Sequence, residues 1–72
     1  MNELKLKING KEQQFTGDKM PGVLSALLDM LGIDQATVVA EIDGEIVERK
    51  DFSNKELRDG QKIELIRFVG GG

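Results

Sequence analysis

The sequence contains no cysteine, histidine, tryptophan or tyrosine, and only three phenylalanines among its 72 residues. Without cysteine there can be no disulfide, no thiolate metal site and no thiol nucleophile. Without histidine the chain lacks the commonest general base and the commonest metal ligand. Positive charge is also short. Ten Lys plus Arg stand against thirteen Asp plus Glu, a net charge of −3, whereas binding to phosphates needs a clustered basic excess. No stretch approaches the roughly 18 apolar residues that span a bilayer. The N-terminus from Met1 to Ile8 alternates apolar and polar residues and lacks the continuous apolar run of a signal peptide. The expectation is a cytoplasmic protein that binds neither nucleic acid nor membrane, holds no metal and has no catalytic side chain.

What is present reads as one small globular domain. Hydrophobic residues make up 39% and charged residues 32% of the chain, too much apolar content for a disordered segment. A chain of this length buries only about 60% of its unfolded surface, so its core is modest. No internal repeat is visible. Three of the nine glycines are the last three residues.

Leu4, Leu6 and Ile8 alternate with Lys5, Lys7 and Asn9, the period of a half-buried strand. Asn9-Gly10 follows, a strong signal for a type I′ hairpin turn, whose two central residues need positive φ. The return strand, Lys11 to Phe15, is polar except for Phe15, as suits an edge. Pro21 fits the first turn of a helix, and Val23, Leu24, Leu27, Leu28 and Leu31 recur at spacings that build one apolar stripe. Gly32 fits a left-handed helix end, so the spacing predicts a helix over 21–31. It is too short to stand alone and must dock on a sheet.

Val38 to Asp43 reads as the next strand, with Val38, Ala40 and Ile42 on one face. Asp43-Gly44 is a second turn, and Glu45-Ile46-Val47 returns. Residues 51–57 read as a helical turn or structured loop anchored by Phe52 and Leu57. A third turn, Asp59-Gly60, leads into a strand from Lys62 to Val69. That last strand is apolar on both faces, a sign of a central position. Ile63 and Leu65 lie on one side, Ile66 and Phe68 on the other. If the helix covers the Ile63 side, Ile66 and Phe68 are exposed beside the terminal glycines, where an apolar patch suggests a docking surface. Arg67, between them, is a candidate to pair with an acidic partner surface. The acidic residues Glu45, Glu48 and Asp51 read as solubilising charges that steer the chain toward a basic partner, not as acid–base pairs. The expected class is α+β: a mixed five-stranded sheet with one main helix packed on one face.

Four stretches carry a resemblance to a known family. The opening strand runs into Asn9-Gly10. Leu27-Leu28-Asp29-Met30-Leu31-Gly32-Ile33 is similar to a helix end of the form LLxxLGI. Val39 to Arg49 is similar to a hairpin VAVEVNGEIVPR, and Leu57 to Leu65 followed by Phe68-Val69-Gly70-Gly71-Gly72 to an ending LxDGDxVEI…VGGG. Together they resemble the ThiS family of thiamine-biosynthesis sulfur carriers, over essentially the whole chain. Glu48 stands where that family often has proline and Gln61 where it often has aspartate. Met20-Pro21-Gly22 replaces a Ser/Thr-rich helix start, which leaves the helix less well capped.

The resemblance implies a β-grasp, ubiquitin-like fold over residues 1–69 and a flexible Gly70-Gly71-Gly72 tail. It further implies that the carboxylate of Gly72 is adenylated by an E1-like, ThiF-type enzyme using ATP and Mg²⁺. The adenylate is then converted to a thiocarboxylate with sulfur from a donor enzyme, and a ThiG-type thiazole synthase receives the sulfur. On this view Gly70 and Gly71 form a slender arm, the chain binds no cofactor, and it acts as a protein cosubstrate rather than an enzyme. The tail suits such a role physically. Glycines lack Cβ atoms and explore wide backbone space, so they can thread a narrow channel. Ordering them costs roughly 1–2 kcal/mol per residue, which a partner's contacts must offset. Other classes remain open at the level of sequence: a molybdopterin-synthase-type sulfur carrier, a ubiquitin-like modifier that forms isopeptide bonds, and a β-grasp binding module with an incidental tail. The absence of proline before the glycines favours the thiamine branch over the molybdopterin one.

Overall fold

A computed structural model describes residues 3–68. Five strands and one α-helix follow the predicted order: β1 (Glu3–Ile8), β2 (Lys11–Thr16), α1 (Leu24–Leu31), β3 (Val38–Ile42), β4 (Glu45–Val47) and β5 (Lys62–Arg67). The strands form one sheet in the order β2-β1-β5-β3-β4. β5 is central, parallel to β1 and antiparallel to β3, while both hairpins are antiparallel. A mixed sheet with α1 on one face is the β-grasp arrangement.

Both hairpin turns have the chemistry their residues demand. Asn9 (φ 50°) and Gly10 (φ 81°) join β1 to β2, and Asp43 (φ 51°) and Gly44 (φ 87°) join β3 to β4. The turns also grip the central strand. The Asp43 carboxylate accepts a hydrogen bond from the Lys62 N–H at 2.9 Å, and the Asp43 N–H donates to the Lys62 carbonyl at 2.8 Å. On the other side Asp59 accepts from the Lys5 N–H at 2.7 Å, and the Gly60 N–H donates to the Lys5 carbonyl at 2.7 Å.

One cluster forms the core. Leu4, Leu6 and Ile8, Val38, Ala40 and Ile42, Val47, and Ile63 and Leu65 line one sheet face; Leu24, Leu27 and Leu28 of α1 and the loop residue Phe52 close over them. Phe15, Met20, Leu31, Ile33 and Leu57 pack around its margin, half-buried. Strand alternation therefore decided which apolar residues went inside, and the helical stripe supplied the second layer.

One expectation is corrected. The helix begins at Leu24, not near Pro21. Val23 is extended and forms a bridge to Glu56; the Leu57 N–H donates to Gly22, and the Leu24 N–H donates to Lys55 at 2.9 Å. The Ser25 N–H donates to Phe52 at 3.0 Å. No side chain caps the helix. Its first free N–H groups are satisfied instead by carbonyls of the loop after β4, a long-range solution to the orphan donors at a helix start. Residues 51–57 form a structured loop, one of the two forms expected: they hold the end of a 3-10 turn, Arg49–Asp51, and the Glu56 bridge, with Phe52 and Leu57 as anchors. At its other end α1 stops at Gly32 (φ 71°), with the Gly32 N–H donating back into the last turn and the Ile33 N–H donating to Leu28 at 2.9 Å. This is a Schellman closure, and Ile33 packs on the core beside it.

Candidate functional site

Because β5 is central and carries α1 on one side only, its alternation divides it cleanly. Ile63 is fully buried and Leu65 nearly so, while Ile66 is 57% and Phe68 48% exposed on the opposite face. Phe68 continues the ladder past the end of β5, since its N–H donates to the Thr37 carbonyl at 3.0 Å. The registers add two neighbours that the sequence reading did not place in the patch. Val39 lies directly across from Ile66, and Ile46 across from Glu41 on β3; they are 39% and 69% exposed. Val39 could have been found from the sequence, because Val38, Ala40 and Ile42 facing inward leave it facing outward. Ile46 could not, because a three-residue strand shows no period of its own.

Four of the five large exposed apolar residues among the described ones thus fall on one half of the open sheet face. Single exposed apolar residues are ordinary, but a contiguous group on an uncovered face is the form of a contact surface. Arg67 is exposed as well, but alternation puts it on the helix-bearing side of the sheet, so the fold does not join it to Ile66 and Phe68. Directly after Phe68 the chain continues into Val69, Gly70, Gly71 and Gly72, which lie outside the described residues. The patch therefore stands at the foot of the segment in which the functional terminus was expected.

Two concavities accompany the patch, the first sharing Ile46 with it. A groove of about 650 Å³ runs beside β4, lined among others by Glu45, Ile46, Glu48 and Asp51. A second, of about 610 Å³, is formed around Asp43, Asp59 and Gly60. This second groove adjoins the start of β5, six residue steps and so roughly 20 Å from Phe68. The three carboxylates of the β4 groove are exposed, and Glu48 pairs with Lys50 at 3.5 Å. Among the described residues no group of three or more acidic residues is arranged to hold a metal ion, and no helix is long and apolar enough to cross a membrane.

Comparison with known proteins places this geometry. A family model described as the ThiS family matches residues 6–72. The sulfur carrier protein ThiS of Bacillus subtilis is 33% identical over 67 residues, covering 93% of this chain and 98% of that protein. A thiazole synthase of Paramagnetospirillum magneticum is 38% identical over 69 residues, and this chain spans 20% of its length. Among solved structures, the crystal structure of the thiamine biosynthesis protein ThiS from Geobacter metallireducens superposes with a TM-score of 0.75 at 35% identity, covering 96% of this chain and all of that one. A solution structure of a thiamine biosynthesis protein from the same organism gives 0.72, covering 96% of this chain and 88% of that one.

Proposed function

The chain belongs to the ThiS family, and from that premise we propose that it is a sulfur carrier for thiamine biosynthesis, with the C-terminal carboxylate of Gly72 as the reacting group. The observation that carries the reading is the extent of the family match, which runs through Gly70 and Gly71 to Gly72 itself.

The chemistry follows from what the chain has and lacks. A free carboxylate is a poor acyl donor. A carboxylate oxygen of Gly72 attacks the α-phosphorus of ATP, pyrophosphate leaves, and an acyl-adenylate forms. A hydrosulfide-equivalent nucleophile then adds to the acyl carbon and expels AMP, leaving a thiocarboxylate. The sequence has no thiol or imidazole to catalyse either step, so both belong to partners: an E1-like adenylating enzyme that binds ATP and Mg²⁺, and a source of sulfur. The chain acts as a protein cosubstrate, consumed and regenerated. A ThiG-type thiazole synthase is the proposed acceptor, supported by the relative of that name that contains a segment like this chain.

The open sheet face gives such a carrier its means of recognition. Ile66 and Phe68, with Val39 and Ile46, dock on the adenylating enzyme, and the glycine arm that follows Phe68 delivers the carboxylate. An apolar docking surface can supply the contacts that offset the ordering of the arm. The test is incubation with the E1-like enzyme, ATP, Mg²⁺ and sulfide, followed by intact-mass measurement. The expected result is replacement of one oxygen by sulfur, lost on deletion of Gly71 and Gly72. A mass gain that persists in the truncated chain would sink the assignment of Gly72.

A further inference from the structure

The open sheet face is uneven in a way that the docking role alone does not explain. Its β2–β1 half presents polar groups, including Glu12, Gln14, Lys5 and Lys7. Its β5–β3–β4 half presents the four exposed apolar residues and, in the row between the Val39–Ile66 pair and Lys62, Glu41 directly opposite Glu64. Like charges facing each other across neighbouring strands destabilise a sheet. Neither carboxylate takes part in an ion pair: those among the described residues are Lys5–Glu3 and Lys50–Glu48. Ile46 lies across β4 from Glu41, and the Val39–Ile66 pair forms the next row. Lys62, two residues along β5 on the same face, takes part in neither ion pair.

We propose that Glu41 and Glu64 are the anionic centre of the docking face, and that the protein partner seats an arginine guanidinium between them while its apolar side chains cover Val39, Ile66 and Phe68. This rests on the carrier reading and specifies the chemistry of its partner. A guanidinium fits better than a metal ion. Hard cations need six or more oxygen ligands, whereas here only two carboxylates face each other, with Ile46 and the Val39–Ile66 pair on their apolar side. A guanidinium offers a planar fork of donors able to serve both carboxylates, and it is weakly enough hydrated to lie against apolar side chains.

The test is calorimetric titration of the carrier into the E1-like adenylating enzyme from the same organism, at low and at moderate salt. The chains compared are the wild type, Glu41→Gln, Glu64→Gln and the double variant. The double variant is expected to bind roughly tenfold more weakly or worse at low salt. Its affinity should also fall less steeply as salt rises than that of the wild type. Its melting temperature should equal or exceed that of the wild type, because a repulsion has been removed. Wild-type affinity and salt dependence in the double variant would overturn the proposal. A clear drop in its melting temperature would also overturn it, by marking the pair as structural. The carrier reading fails separately, if the wild-type chain never acquires the thiocarboxylate mass with that enzyme.

Discussion

The carboxamide of Asn9 holds both backbone groups of Leu65. Its Oδ1 accepts from the Leu65 N–H at 2.7 Å and its Nδ2 donates to the Leu65 carbonyl at 3.2 Å. A turn side chain therefore extends the parallel β1–β5 ladder where the β1 backbone has already left to form the hairpin, and it does so 56 residues away in sequence. Asn9→Ala removes two part-buried hydrogen bonds and places a Cβ-bearing, non-Asx residue at φ 50°. The expected loss is about 2–3 kcal/mol, near half the stability of so small a domain. Asn9→Gly keeps the turn and removes only the clamp, so it should cost about 1–2 kcal/mol. Urea denaturation of both variants checks the order. Equal stability of Asn9→Gly and the wild type would show that the clamp contributes nothing.

Asn9 also marks the limit of what could be read from the sequence. Its place in a type I′ turn was legible because the turn is local and asks for Asn-Gly. Its grip on Leu65 was not, because it depends on β5 arriving beside β1. The same division runs through the fold. Alternation in 4–8, 38–42 and 63–68 gave the strands, their inward faces and the exposure of Ile66 and Phe68. The helix start at Leu24 was hidden because Val23 is drawn into a bridge with Glu56, a pairing that local propensity cannot report. The apolar patch was half legible: its β5 members by period, Val39 by elimination, and Ile46 only through the register of β4.

The helix start is tied to Phe52, which is 1% exposed and whose carbonyl accepts from the Ser25 N–H. Phe52→Ala should cost about 3–5 kcal/mol through the cavity it leaves, enough to populate unfolded chains at room temperature. The milder Phe52→Leu should keep the fold and loosen this one corner. Hydrogen exchange of the Leu24 and Ser25 amides should then rise more than that of Leu6 or Leu65. Uniform acceleration across all four would show that the loop does not hold the helix start.

Gly44 and Gly22 separate backbone strain from crowding. A Cβ at either position would meet no atom within 4 Å, but Gly44 sits at φ 87° and Gly22 has no such left-handed backbone. Gly44→Ala should therefore cost about 1–2 kcal/mol through conformation alone. Gly22→Ala should be neutral or stabilising by about 0.4–1 kcal/mol, since it restricts the unfolded chain without straining the folded one. Thermal melts that rank the two in the opposite order would contradict the turn assignment.

Ile66 should separate stability from function. Its side chain is exposed on the uncovered face, while its neighbours Ile63 and Leu65 fill the core. Ile66→Ser removes little buried area, so the melting transition should shift by no more than about 0.5 kcal/mol. An apolar residue at the centre of a contact surface, in contrast, commonly costs more than about 1 kcal/mol of binding when truncated. The rate at which the E1-like enzyme adenylates the carrier at sub-saturating concentration should fall several-fold, and saturating carrier should restore it, as expected when docking rather than chemistry is weakened. Leu65→Ser, one residue earlier on the buried side, should do the reverse: it should unfold the chain by placing a hydroxyl in the core and leaving a cavity there. If Ile66→Ser melts early while its adenylation stays normal, the residue belongs to the fold and not to the docking face.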